Sequence, residues 1–141
     1  MVRACEMEIV DLHRFFVAWM SGTLGRTAAE FSRFTDVLDK DFVIVSPRGV
    51  ITERLALIDE LEKAHGGRAG GDEDFRIWIE KPRLRRLADD LCLAVYEEWQ
   101  HAGGTTTGRL SSALFGRRSG APNDVSWLHV HETWLPGGAG G

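Results

Sequence analysis

The chain has 141 residues, 43% of them hydrophobic and 27% charged, with a formal net charge of −4. That length and mix are those of one globular domain with one core, and the acidic balance argues against a nucleic-acid binder. No run reaches the roughly 18 apolar residues of a membrane span and the N-terminus lacks the apolar core of a signal peptide, so the sequence reads as a cytoplasmic protein with no membrane partner. Cys5 and Cys92 supply neither a disulfide framework nor a metal spacing.

From Glu6 to Ser21, Leu12, Phe15, Phe16, Trp19 and Met20 recur at helical spacing, and Gly22 closes this first helix. Thr27-Ala28-Ala29-Glu30 has the form of a capping box, and Phe31, Phe34 and Leu38 give a second apolar stripe. Phe42-Val43-Ile44-Val45 reads as a strand, Ser46-Pro47-Arg48-Gly49 as a turn and Val50-Ile51 as a short return strand. Thr52 is placed to cap a third helix carrying Leu55, Ile58 and Leu61. The Gly-rich stretch from Arg68 to Asp74 reads as a mobile loop.

Long strands follow. Phe75 to Leu87 alternates around Pro82, Leu91 to Gln100 is the strongest strand, and Thr105 to Arg118 is the next. Ser126 to Leu135 is the last strand, and 136–141 reads as a disordered Gly-rich tail on a single domain over 1–135. Helices first and a meander of antiparallel strands afterwards give an α+β class, with helices packed on one face of a strongly curved sheet to enclose a cone.

The strings Lys81-Pro82, Asp89-Asp90-Leu91-Cys92-Leu93-Ala94 and Trp127-Leu128-His129-Val130-His131 resemble the nuclear transport factor 2-like superfamily. This is the cone fold of SnoaL-like cyclases and ketosteroid isomerases, and the branch resembled includes the association domain of calmodulin-dependent kinase. Asp41-Phe42 and the Pro47-x-Gly49 turn also fit. The resemblance implies a pocket between the first helix and the concave sheet face, with Leu93, Val95, Glu97 and Trp99 facing it from one strand. It places Leu128, Val130, Glu132 and Trp134 there from the last strand. Positions where the kinase branch carries pocket arginines fall on Glu97, Ala113 and Trp134, so that anion pocket is not inherited. The isomerase Asp and Tyr pattern is not recognisable either.

On this register Glu97 and Glu132 are the candidate catalytic carboxylates, since a carboxylate desolvated among indoles has a raised pKa suited to proton transfer. Alternatively they pair with an inward arginine such as Arg109, and a slip of one residue exchanges Glu97 with Glu98. Tyr96 falls on the opposite parity and should miss the pocket. Trp19, Trp99 and Trp134 could wall a flat ligand, although core packing explains Trp19 better. With Leu93, Val95, Leu128 and Val130 they form the candidate ligand-binding set.

Trp127, His129 and His131 share the outer face of the last strand and point to a homodimer through it. The two histidines have no third ligand placed by spacing, so no metal is expected. The function expected is a SnoaL-like binding or assembly module for a small apolar or aromatic ligand. The alternative is an isomerase, cyclase or dehydratase that needs no cofactor and uses a pocket glutamate.

Overall fold

The computed structural model describes residues 1–69 and 74–138. Three helices, α1 (Val2–Met20), α2 (Ala28–Thr35) and α3 (Arg54–Lys63), cover a six-stranded sheet. Its strands are β1 (Leu38–Val45), β2 (Ile51–Glu53), β3 (Arg76–Ala88), β4 (Leu91–Ala102), β5 (Thr105–Arg117) and β6 (Val125–Trp134). They lie in the order β2-β1-β6-β5-β4-β3, and all pairs are antiparallel except β1 with β6. The expected α+β architecture, helices on one face of a curved and mostly antiparallel sheet, is the one found.

Local chemistry sets the element ends. Thr27 caps α2, its hydroxyl accepting from the Glu30 amide at 3.2 Å. At the 46–49 turn the Gly49 amide donates to the Ser46 carbonyl at 2.9 Å, and Gly49 takes φ +81°, a conformation that glycine adopts without strain. Thr52 is not the cap of α3. It pairs with Ile44 in the ladder, and Glu53 takes the N-cap position. Residues 136–138 are not a free tail: Gly108 donates to the Gly138 carbonyl at 2.8 Å, and Leu135 donates to that of Gly108 at 3.1 Å. Residues 139–141, and 70–73 of the Gly-rich loop, lie outside the described residues. Among the described residues no helix is long and apolar enough to cross a membrane.

Side-chain size decides which face of β4 the helices cover. Cys92 and Ala94 are buried beneath the helices, together with Tyr96 further along, whereas the bulkier Leu91 and Leu93, and Val95, are half-buried on the other face. Small groups let α1 approach the sheet closely: Cys5 meets Cys92, and both are 0% exposed, as are Ala94 and Ala113. The inward set of β4 is therefore Cys92, Ala94, Tyr96 and Glu98, one residue out of step with the sequence reading.

In β6 a bulge does the same to two residues. Trp127 pairs with Phe115 and His129 with Leu114, so Leu128 is the extra residue. Trp127 turns inward to 3% exposure, its ring centroid 4.4 Å from that of Phe115. Leu128 lies on the outer side, where it touches the position a side chain on Gly116 would occupy. Beyond the bulge Val130 and Glu132 face inward as expected.

Candidate functional site

A cavity of about 280 Å³ lies between the helices and the concave face of the sheet. Its wall is apolar: Phe16 and Met20 from α1, Phe34 from α2, Phe42 and Ile44 from β1, and Leu57 from α3. Its polar lining gathers His13 from α1, Tyr96, Glu98 and Gln100 from β4, Arg109 from β5, and Glu132 from β6.

These groups are wired together. His13 Nδ1 donates to the Ile9 carbonyl at 2.6 Å, and Nε2 meets Glu98 Oε1 at 2.7 Å. Gln100 Nε2 donates to Glu98 Oε2 at 2.7 Å. Arg109 donates to Glu132 Oε1 at 3.1 Å, stands 3.7 Å from Glu98 Oε2, and lies over the Trp134 ring at 5.0 Å. Burial pushes Glu98 upward, but the His13 and Arg109 charges and the Gln100 amide outweigh it and bring the carboxyl down to about 2. Burial opposes charging of His13, yet Glu98 raises it above its ordinary value. A carbonyl can only accept, so Nδ1 carries hydrogen; an ionised Glu98 accepts from Nε2, and the ring is an imidazolium. Glu132 is raised by burial and by the Glu98 charge, against the pull of Arg109. Burial also raises Tyr96 well above the ordinary phenol.

The register sets the buried Ser111 between Tyr96 and Glu132, within reach of the Tyr96 phenol. The site carries two carboxylates, one guanidinium and one imidazolium. These formal charges cancel, so the site offers an added anion no net attraction.

The structure splits the residues singled out from sequence. Val130 and Glu132 line the cavity, and Trp134 stands beside it against Arg109. Leu93, Val95, Glu97 and Trp99 are on the outer face, where Trp99 Nε1 donates to Glu97 Oε1 at 3.0 Å and the Trp99 ring lies parallel to Trp78 at 6.3 Å. Leu128 is outward as well. Trp19 is core: it donates to the Leu61 carbonyl at 2.7 Å and its ring packs on those of Phe15 and Phe31. Trp127 leaves the outer face, which keeps His129 and His131.

Sequence reasoning missed Glu98, Gln100 and His13. The one-residue slip between Glu97 and Glu98 was the signal for the first two. For His13 it was the spacing to Phe16 and Met20, three and seven residues on. A second buried carboxylate, Glu8, is structural. At 0% exposure it accepts from Arg33 at 2.7 and 3.2 Å, Asn123 at 3.0 Å and Trp127 Nε1 at 2.9 Å, tying α1 to three other segments.

The family described as sucrose-6-phosphate phosphohydrolase C-terminal matches residues 5–136. The chain belongs to that family. Sucrose-phosphatase 1 of Nicotiana tabacum is 27% identical over 133 residues, which cover 94% of this chain and 31% of that protein. The chain thus spans about a third of the length of the curated relatives it matches. Among solved structures, an NTF2-like protein of unknown function from Pseudomonas aeruginosa is 26% identical with a TM-score of 0.81, covering 94% of this chain and 99% of that one. The calmodulin-dependent kinase association domain of C. elegans has a TM-score of 0.62 at 15% identity, covering 94% and 97%. The nuclear transport factor 2-like resemblance holds, and the likeness to association domains is one of fold.

The function expected from sequence does not hold. The family match replaces a SnoaL-like module for a small apolar ligand, and its isomerase alternative, with a sucrose-6-phosphate phosphohydrolase C-terminal domain. The physical basis of the error is plain: Glu97, offered as a proton-transfer group, is outside the cone, and Glu132 is engaged by Arg109.

Proposed function

We propose that this domain serves the hydrolysis of sucrose-6-phosphate by holding a sugar in its cone. One observation carries the reading. In a family named for a sugar phosphate, a half-open cavity presents a carboxylate pair, an amide and a phenol beside apolar walls. Hydroxyls bond to the first set and the C–H faces of a sugar ring pack on the second. Its volume of about 280 Å³ is just below the roughly 300–1,000 Å³ of drug-sized ligand sites.

Titration followed by tryptophan fluorescence tests this, because Trp127 lines the cavity. Sucrose should give a saturable change, with affinity of about 1 mM, roughly −4 kcal/mol. The Val130→Trp variant, which fills the cavity, should abolish it. A response to apolar aromatic compounds and to no sugar would sink the reading.

We further propose self-association through the outer sheet face. Leu110 is 36% exposed there, His129 and His131 lie side by side, and Trp78 and Trp99 form an aromatic pair. The resemblance to association and hub domains supports the reading. Light scattering should report twice the chain mass, and Leu110→Glu should return the monomer. A wild-type monomer at micromolar concentration would remove the idea.

A further inference from the structure

Resting on the sugar-binding reading, we infer that the cone accepts the dephosphorylated sugar, the product of hydrolysis, and rejects the phosphate ester. The argument is an inventory of charge and hydrogen-bonding capacity. Two cationic side chains line the cavity among the described residues, His13 and Arg109. Both are taken. His13 is held between the Ile9 carbonyl at 2.6 Å and Glu98 at 2.7 Å. Arg109 stands between Glu132 at 3.1 Å and Glu98 at 3.7 Å.

The remaining capacity is of the opposite kind. Glu132 Oε2 and Gln100 Oε1 have no donor among the described residues, and both are acceptors. A ligand that satisfies them must bring donors. Sugar hydroxyls do so, and the ring behind them meets Phe16 and Phe34. A phosphate monoester group brings acceptor oxygens and negative charge. To seat it, Arg109 would have to leave Glu132, and the released carboxylate would then face the phosphate beside Glu98. A site built to bind phosphate would present free cations or a helix N-terminus. Here the pairing runs the other way, so removal of the phosphate is what makes the sugar fit.

Isothermal titration calorimetry of the protein with sucrose, sucrose-6-phosphate and inorganic phosphate decides the matter. Sucrose should bind, sucrose-6-phosphate should bind at least about tenfold more weakly, and phosphate should give no heat. Equal or tighter binding of the phosphate ester overturns the inference and leaves the sugar-binding reading standing. Binding of neither sugar overturns both.

Glu132→Gln removes one negative charge and keeps an acceptor oxygen. It should narrow the ratio between the sucrose and sucrose-6-phosphate affinities by about threefold or more, even where sucrose itself binds more weakly. Gln100→Glu adds a carboxylate to the same lining and should widen the gap. A gap unmoved by either folded variant would overturn the charge argument.

Discussion

Glu97 and Glu98 are neighbours in one strand, yet they live in different solvents. Glu98 is buried among His13, Gln100 and Arg109 inside the cone. Glu97 lies on the outer face, bonded to an indole and 3.6 Å from the largely exposed Lys81 ammonium. Chemical identity therefore says little about what a carboxylate does. The face of the pleat decides whether its charge organises a core or decorates a surface.

The strongest test of that contrast is deletion. Glu98→Ala should cost about 3–5 kcal/mol, because it leaves the buried His13 imidazolium without its carboxylate. Glu97→Ala should cost less than about 1 kcal/mol. Urea denaturation of the two variants checks this, and similar losses would erase the distinction.

Acidity probes the same pair more gently. Glu98 is held down to about 2, so its contribution is present above its ordinary 4.5 and is lost as pH falls toward 2. The loss should be on the order of 3 kcal/mol. His13 is raised, so its contribution is present below 6.5 and fades as pH climbs through its folded value. The pair should stabilise the fold most between about 4.5 and 6.5, and Glu98→Gln should flatten both limbs of a melting-temperature profile.

Packing separates the faces next. Ala94→Leu puts three extra heavy atoms under α1 and should cost about 1–3 kcal/mol. Leu93→Ala on the outer face should cost less than that, as judged by thermal melts of both. The smallest effect belongs to Glu132. Burial and Glu98 raise it, so its ionised form weakens the fold as pH rises through that value. Glu132→Gln should be neutral or stabilising by up to about 1 kcal/mol at pH 8.

Much of this molecule is legible in its sequence. The capping box at Thr27, the Gly49 turn, the four long strands and the α+β order follow from local chemistry that each segment carries itself. The orientation of those strands does not. Leu93 and Val95 look inward because they are large and apolar, but the helix needs small side chains beneath it, so Cys92 and Ala94 take the core. Nothing in Ser126-Trp127-Leu128 announces a bulge, which is settled by pairing with Phe115 on another strand. The site inherits both errors, since its polar ends are set by residues 85 positions apart, as with His13 and Glu98.

The placement of β6 has a consequence for how the chain is made. The last strand of the domain is flanked by β1 on one side and β5 on the other. On the ribosome, β1 can pair with its hairpin partner β2, but its other edge waits for residues more than 80 positions downstream. Helix α1 likewise waits, with Glu8 unbonded to Trp127, until the final strand has emerged. Productive folding of the domain is therefore concentrated after β6 has emerged, and a nascent chain stalled before Val125 carries two unpaired strand edges and an uncovered apolar face for chaperones to hold.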